Sequence, residues 1–472
     1  MKDYKVTIGI ECHVQLNTKT KLFSAVDNDA VDKEPNSCVS PVDYALPGML
    51  PVLNKECVHK AVQAGLAMSC KINLISRFDR KHYFYPDNPS GFQITQMYHP
   101  IIGAGEIHLT DGSTVKIEHA HLENDAAKLS HFDDYTLVDL NRCGTPLIEI
   151  VSMPDMHSAA QARAYCEELH RLMIYAGVSN GDLYQGNMRF DVNTSVSKTD
   201  ELGTRTEVKN LNSFRSVEKA VEYEVARQIR VLESGEKVKQ ETRGWNDAEG
   251  KTTAQRSKEE AKDYRYMPEP DVPPIKLEQA YIDQVASEMP MMPDEYRSRF
   301  SVLNLDDSER EAIINHPSLA KRLAEVCAKR AELGARVAHW FSGILLAEEN
   351  LDKDFDLATA AELLELSEMV EKKELSSTAG KEVFLEMYDK KNTSKNAHQL
   401  AKEMNLLQEN DEYALNAIID AVLAAPECAK AAEDVRNGEM KAIGFLVGQV
   451  MKKSQGKANP AAVKDLISAK LA

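Results

Sequence analysis

A carboxylate and an imidazole stand two residues apart near the start of the chain, at Glu11 and His13. They belong to KVTIGIECHVQL, residues 5–16, in which apolar and polar residues alternate. Successive side chains of a β-strand point to opposite faces, so this alternation predicts a half-buried strand that presents Glu11 and His13 on one face. A strand that merely faces water would more often carry Lys, Thr or Ser there. Groups of this kind can hold a divalent cation.

The same alternation recurs in three later segments, residues 117–125, 189–196 and 205–211. The polar residues that share a face in each are His119, His121, Glu123 and Asp125, then Arg189, Asp191, Asn193 and Ser195, then Arg205, Glu207 and Lys209. If these faces converge, they form a polar floor able to hold a divalent cation and a phosphorylated ligand. The alternative is an antiparallel sheet with one solvated face, which is favoured for each strand taken singly. The four segments together favour a site.

These strands must be positioned by a larger fold, which the pattern along the chain indicates. Strands and helices mix without regular βαβ alternation up to about residue 290, which predicts the α+β class. Helices are expected at 158–176, where Ser158 can cap the start and Gly177 follows the end, and at 217–232. Asp111-Gly112 reads as a hairpin turn. A proline-rich stretch at 289–293 predicts a domain boundary near residue 292.

Beyond that boundary the pattern is helical. The expected helices are 306–314, 318–345, 359–372, 377–388, 411–423 and 430–436. An apolar stripe at helical spacing follows near the end of the chain and indicates helix core more than a ligand surface.

Composition limits the function classes. With 472 residues the chain is expected to form two or three domains, and its net charge of −17 argues against a protein that coats nucleic acid indiscriminately. Between Arg436 and Lys470, however, basic residues outnumber acidic ones. We expect no signal peptide and no membrane span, and none of the eight cysteines forms a C-x-x-C pair, so a cytoplasmic protein with reduced thiols is predicted.

Common nucleotide and hydrolase motifs are missing from the sequence. There is no P-loop, no G-x-G-x-x-G that opens a helix after a strand, and no G-x-S-x-G elbow. The residues alone therefore predict a surface competent to bind a metal and an anion, and they do not indicate a reaction.

An ordered set of longer motifs resembles the GatB family, the B subunits of tRNA-dependent amidotransferases. The motifs are IGIECHVQLNTKTKLFS (8–24), FDRKHYFYPDNPSGFQITQ (78–96), LVDLNRCGTPLIEIVSMPD (137–155), GTRTEVKNLNSF (203–214), ETRGW (241–245), DYRYMPEPD (263–271) and FLVGQVMKKSQGKANP (445–460). Each match alone is weak, but together they span nearly the whole chain and make a specific resemblance.

The resemblance implies a fold and an activity. The fold would be a mixed-sheet cradle domain at 1–292, a helical domain at 293–405 and a small helical YqeY-like tail at 406–472. Members of the family work in a heterotrimer with two other proteins, the A and C subunits, of which the first is a glutaminase that releases ammonia. The B subunit uses ATP and Mg²⁺ to phosphorylate the side-chain carboxylate of a mischarged tRNA, and ammonia then displaces phosphate. A tRNA-docking and ammonia-channel scaffold with little chemistry of its own is the alternative.

The resemblance also implies site residues, which match acidic, imidazole and basic positions of the family motifs. The expected metal ligands are Glu11, His13, Glu123, Asp125 and Glu149, the further catalytic residues Asp191, Glu207 and Lys209, and the expected ATP contacts Arg189, Arg205 and Lys209. His13 could also hydrogen-bond substrate or orient a carboxylate. For Arg205 an ion pair on the strand face is an equal alternative.

Aromatic and basic residues in irregular segments are the expected tRNA contacts, because aromatic rings stack on unpaired bases and cations bind phosphate. They are Tyr83, Tyr85, Arg265 and Tyr266, with Lys452, Lys453 and Lys457 in the tail. For the tyrosines, loop packing braced by proline is the favoured alternative.

The chain departs from the family at three places. Many relatives carry C-P-V-C where this chain has Ser40-Pro41-Val42-Asp43, so a structural zinc site is not expected here. Where the family has two consecutive glutamates before the position of Asp125, this chain has Glu123 and Asn124. Ala127 stands where the family usually has a glycine. Asn124 would fall on the opposite strand face, so it is expected to help position the metal ligands and not to bind the metal itself.

Overall fold

The computed structural model describes residues 4–257, 263–347, 358–388, 395–408, 412–437, 439–454, 458 and 460–471. They separate into two compact units, Met1–Met292 and Pro293–Ala472.

The first unit combines strands and helices. Its strands are β1 (Lys5–Gln15), β2 (Ile75–Ser76), β3 (Asp79–His82), β4 (Phe92–Thr95), β5 (Gly105–His108), β6 (Thr114–Asn124), β7 (Lys128–His131), β8 (Thr136–Asp139), β9 (Pro146–Ser152), β10 (Met188–Ser197), β11 (Thr206–Leu211), β12 (Glu241–Asn246), β13 (Lys251–Ser257), β14 (Met267–Pro268) and β15 (Ile275–Lys276). Its α-helices are α1 (Lys55–Ala67), α2 (Ala159–Tyr175), α3 (Phe214–Glu233) and α4 (Gln279–Glu288).

An eight-stranded sheet organises this unit, in the order β13-β12-β11-β10-β1-β9-β6-β5. Neighbouring strands of this sheet are antiparallel except for the parallel pair β11–β12, so the sheet is mixed. Strand β1 lies between β10 and β9, and the register places His13 opposite both Arg189 and Glu149. The mixed sheet and the helices that follow confirm the α+β class.

Alternation along β1 sorts its side chains as predicted. Ile8, Ile10, Cys12 and Val14 are buried in the core, whereas Glu11 and His13 point away from it and are half-buried. Helices α2 and α3 contribute to the same apolar cluster as these core residues, so they cover the apolar face of the sheet. The opposite face is left for polar side chains.

The caps of α2 are those that the sequence predicts. The Ser158 side chain accepts a hydrogen bond from the Gln161 N–H, and Gly177 follows the helix end with φ of +67°. The hairpin at Asp111-Gly112 is also confirmed, because it joins the antiparallel strands β5 and β6 and Gly112 has φ of +82°.

A buried lysine, Lys21, contacts the segment in which this chain has Ser40-Pro41-Val42-Asp43 and many relatives have C-P-V-C. Lys21 is 0% exposed, and its Nζ donates to the carbonyls of Cys38 at 2.7 Å and Cys143 at 2.6 Å. The Asp43 carboxylate lies 3.2 Å from the same ammonium and also accepts from the Ser40 N–H at 2.8 Å. One fixed cation therefore ties three distant segments of the chain together.

The second unit is helical. Its α-helices are α5 (Pro293–Phe300), α6 (Asp307–Ile314), α7 (Pro317–Lys329), α8 (Ala331–Trp340), α9 (Ala360–Glu371), α10 (Ser377–Glu386), α11 (Ala397–Glu403), α12 (Glu412–Leu423), α13 (Ala429–Arg436), α14 (Ile443–Lys453) and α15 (Pro460–Leu471). Helices α12 to α15 bury an apolar cluster of their own, which includes Ile419, Leu446 and Ile467. None of the helices among the described residues is long and apolar enough to cross a membrane.

The single helix predicted at 318–345 is wrong. The chain breaks at Arg330, whose φ of −147° and ψ of 85° separate α7 from α8, and Phe341–Leu345 form a π-helical segment. The Arg330 guanidinium contacts Glu332 nearby and Glu368 and Glu371 of α9, so ion pairs accompany a break that no glycine or proline marks. Both helices bury apolar faces, which is why the apolar spacing continues across the break.

Candidate active site

Three strands bring one imidazole and two carboxylates together on the polar face of the sheet. His13 Nε2 of β1 lies 3.5 Å from Glu123 Oε1 of β6 and 3.5 Å from Glu149 Oε2 of β9. One ligand atom from each of the three residues falls within 4.8 Å of the other two. Within the part of the chain that the structure describes, no other group of His, Cys, Asp and Glu is as compact. We call His13, Glu123 and Glu149 the acidic triad.

Electrostatics shows that the triad is crowded with negative charge. Burial, together with the charge of Glu149, raises the pKa of Glu123, which is only 2% exposed. Burial alone would lower the pKa of His13, but its contacts with Glu149 and Glu123 outweigh burial and raise that pKa to about 9. Burial opposes ionisation of Glu149 as well, yet its contact with His13 holds the pKa of Glu149 well below its usual range.

This donor set fits a divalent cation. Two converging carboxylates supply the oxygen ligands that Mg²⁺ prefers, and few protein ligands leave room for water and phosphate oxygens. A cation at the triad would also offset the burial and the charge of Glu149, which together raise the pKa of Glu123.

His121 adjoins the triad and was not among the expected site residues. Its Nε2 lies 3.6 Å from Glu149 Oε2, and its ring stacks on that of His119 with centroids 5.5 Å apart. Burial lowers the pKa of His121 to about 4, so the imidazole is neutral at physiological pH. In the sequence, the alternation of residues 117–125 places His121 on the same strand face as Glu123, and this pattern could have identified it.

Asp125 and Glu11, two expected metal ligands, lie outside the triad. The chain leaves β6 at Asn124, and the Asp125 carboxylate accepts a hydrogen bond from Arg189 at 2.8 Å and lies 3.4 Å from Arg142. Glu11 accepts from the Asn193 side-chain amide at 2.9 Å. Burial, followed by the charges of Glu149 and Glu207, raises the pKa of Glu11.

Asn124 faces away from the triad, as its position in the strand predicts. Its side-chain oxygen accepts from the Ile94 N–H at 2.8 Å, and its carbonyl accepts from the Gln93 side chain at 3.0 Å. These bonds join β6 to β4, so Asn124 fixes the neighbouring wall of the site.

Further basic and acidic groups continue the polar face beyond the triad. Lys209 Nζ donates to Asp191 at 2.5 Å and lies 3.1 Å from Glu207, which also accepts from the Thr242 hydroxyl at 2.8 Å. Arg205 is separate from this group: it precedes β11, is exposed, and lines a second depression together with Glu11. Asp191, Lys209 and Arg189 therefore line the same cavity as His13 and Glu123 of the triad. Arg205 lines the other depression.

A cavity of about 350 Å³ covers the triad side of the sheet. Its floor includes His13, Glu123, Arg189, Asp191 and Lys209. A further wall of the cavity is formed by Lys81 of β3, Gln93 of β4 and Tyr83, which follows β3.

Two residues of that wall are Lys81 and Tyr83, and Lys81 was not among the expected site residues. The two stand at alternate positions of one segment, which places their side chains on the same side of the chain.

The residues expected to contact tRNA occupy varied positions. Tyr83 lines the cavity, and burial raises its pKa. Tyr85 is exposed, Tyr266 packs edge-on against Tyr98 with centroids 6.3 Å apart, and Arg265 is exposed with φ of +43°.

The tail lysines on α14 differ in their contacts. Lys452 and Lys453 are both exposed, and the Lys453 ammonium lies 3.3 Å from the Ala421 carbonyl. Lys457 lies outside the described residues.

Comparison with known proteins gives two family matches and close relatives. A model described as the GatB/GatE catalytic domain matches residues 6–283, and one described as the GatB domain matches residues 322–471. The B subunit of the aspartyl/glutamyl-tRNA(Asn/Gln) amidotransferase of Thermotoga neapolitana is 41% identical over 473 residues, which cover 97% of each chain. The protein of the same name from Neisseria meningitidis serogroup C is 43% identical over 480 residues, which cover 99% of this chain and 100% of that one.

Proposed function

The chain belongs to the GatB family, the B subunits of aspartyl/glutamyl-tRNA amidotransferases, and we propose that its cavity activates the side-chain carboxylate of a mischarged tRNA. The enzyme class is that of the ATP-dependent, glutamine-hydrolysing carbon–nitrogen ligases, to which this chain contributes one subunit. The observation that supports the proposal is the acidic triad, two of whose residues, His13 and Glu123, line a cavity that also contains Arg189 and Lys209.

The chemistry explains why such a cavity is needed. A carboxylate resists attack by ammonia because its leaving group would be oxide. One oxygen of the substrate carboxylate attacks the γ-phosphorus of ATP, the bond from that phosphorus to the bridging oxygen breaks, and ADP leaves with the bonding electrons. Ammonia then attacks the carbonyl carbon of the acyl phosphate, the carbon–oxygen bond breaks, and inorganic phosphate leaves with the electron pair and takes up the proton that nitrogen loses.

The residues of the cavity have distinct parts in this scheme. His13, Glu123 and Glu149 would hold Mg²⁺, which when bound supplies positive charge to phosphoryl oxygens. Asp125 orients the Arg189 guanidinium toward the cavity, since the two are 2.8 Å apart. Asp191 and Glu207 hold the Lys209 ammonium in the same way. Glu11 and its partner Asn193 border the floor on the side of the second depression, where Arg205 is available to an anion.

Partners follow from the same family membership. We propose a heterotrimer in which the A subunit is a glutaminase and the C subunit is the third member, acting in the cytoplasm on Glu-tRNA, Asp-tRNA or both. Tyr83, Tyr85, Arg265 and Tyr266 would approach the acceptor end of the tRNA, and the α14 lysines its backbone. We propose no structural zinc for this chain, since Asp43 stands where the family has a cysteine.

An ammonium-dependent assay tests this function without relying on the glutaminase. The complex would be incubated with mischarged Glu-tRNA, ATP, Mg²⁺ and ammonium chloride, with glutamine withheld. We expect Gln-tRNA to form with one ATP consumed per amide, and no product when ATP is omitted. Amide formation without ATP, or none under any condition, would contradict the proposal.

The tail assignment predicts a change in tRNA affinity. Replacement of Lys452 by Ala should raise the KM for tRNA and reduce the salt slope of tRNA binding by about one, because one phosphate contact is lost. Turnover at saturating tRNA should stay unchanged. Lys402→Ala, an exposed lysine of α11, is the matched control. An unchanged KM and salt slope in Lys452→Ala would remove α14 from tRNA binding.

A further inference from the structure

Lys81 differs from the other cations of the cavity in having no acidic partner in the part of the chain that the structure describes. Arg189 is bonded to Asp125, and Lys209 contacts Asp191 and Glu207. Among the described residues, no carboxylate lies within ion-pair distance of the Lys81 ammonium, which lies over the face of the Tyr264 ring with 5.1 Å from Nζ to the ring centroid. Lys81 is thus the cation of this cavity left available to an incoming anion.

The fold holds Lys81 in this position from two sides. It lies on β3 opposite Gln93 of β4, and both side chains line the cavity. The neighbouring residue, Arg80, points to the other face of β3, where Glu269 and Asp271 bind it. The small sheet therefore uses one cation for its own structure and presents the other to the triad.

The electric field of the cavity keeps Lys81 charged. Burial acts to lower its pKa, but the negative charges of Glu123 and Glu149 outweigh burial and raise it. A lysine ammonium that stays protonated in a half-buried cavity, without a fixed partner, suits binding of a phosphoryl group, to which Lys offers a compact point charge.

We propose that Lys81 is a catalytic residue that binds an oxygen of the phosphoryl group as it passes from ATP to the substrate carboxylate. This rests on the proposed function and adds a residue to it. His13 and Glu123 of the triad line the same cavity as Lys81, so the transferring group would contact both the metal held by the triad and the Lys81 ammonium. Charge spreads over the equatorial oxygens of that group during transfer, and a fixed cation stabilises it there.

The direct test compares the binding of ADP with and without aluminium fluoride, which mimics the transferring phosphoryl group. Calorimetry on the assembled complex in Mg²⁺ should show that aluminium fluoride tightens ADP binding to the unsubstituted protein. Lys81→Met should lose about tenfold or more of that gain while its affinity for ADP alone stays the same. Turnover in the ammonium assay should fall about 100-fold, and Lys81→Arg should recover part of it.

Controls separate the possible outcomes. Lys60→Met replaces another partly buried lysine, whose ammonium contacts the Gly177 carbonyl, and should leave both measurements unchanged. An unaltered melting temperature in Lys81→Met would show that the variant folds. If Lys81→Met keeps the full gain from aluminium fluoride, the role of Lys81 is overturned while the proposed function stands. If the unsubstituted complex binds no ADP, with or without aluminium fluoride, the proposed function itself fails, and this role with it.

Discussion

Replacement of Glu123 by Gln should reduce the turnover of transamidation by about 100-fold to 1,000-fold, because the triad loses one of its two carboxylates while the shape of the side chain is kept. Glu123 is 2% exposed and lines the cavity, so its carboxylate is shielded from bulk solvent. The affinity for tRNA should not change, since recognition of the tRNA body uses other surfaces. Turnover and the Kd for Mg²⁺ would be measured on the complex, and we expect Mg²⁺ binding to weaken in parallel.

The matched control is Glu106→Gln on the edge strand β5, where the glutamate is exposed and lies outside the cavity. It should retain full turnover. If Glu123→Gln keeps full turnover as well, the triad has no part in the reaction. If Glu123→Gln instead loses tRNA binding, the scaffold interpretation, in which this chain docks tRNA and does little chemistry, gains support.

Replacement of Lys21 by Met should lower the free energy of unfolding by about 3–5 kcal/mol. Lys21 is fully buried, and Met of similar length would leave Asp43 and two carbonyls without their shared donor. Buried acceptors that lose a partner bear the full cost of desolvation. Chemical denaturation of the chain, with the slope in denaturant compared between variants, measures the loss.

A second substitution separates the charge from the packing. In Lys21→Met with Asp43→Asn the uncompensated carboxylate is removed, so part of the lost stability should return. Lys19→Met, an exposed lysine two residues earlier, should leave stability unchanged. A loss below about 1 kcal/mol in Lys21→Met would show that this ammonium does not tie its three segments together.

Much of the fold is accessible from local patterns in the sequence. Alternation predicts β1 because one face of that strand is buried against helices and the other is polar, and Ser158 and Gly177 predict the ends of α2 because their chemistry is local. The break at Arg330 is not accessible, because its ion pairs reach Glu368 and Glu371 in another helix.

The site could be predicted as a set of faces but not as a set of contacts. Which residues meet depends on strand order and register, and placing β1 between β9 and β10 sets His13 beside Glu149 while leaving Glu11 one row away. Asp125 carries the right chemistry, yet its partner Arg189 comes from a strand 64 residues distant. Lys81 was missed because its importance lies in the lack of an acidic partner among the residues described, which only the structure shows.

Trapping the acyl phosphate intermediate shows whether this chain phosphorylates the substrate carboxylate. The complex would be given γ-labelled ATP, Mg²⁺ and Glu-tRNA with every ammonia source withheld, then quenched and examined for label on the aminoacyl ester. We expect labelled phosphate on the glutamyl side chain, absent in Glu123→Gln and discharged when ammonium is added. Transamidation that proceeds with no label on the ester, even at the shortest quench times, would contradict the account.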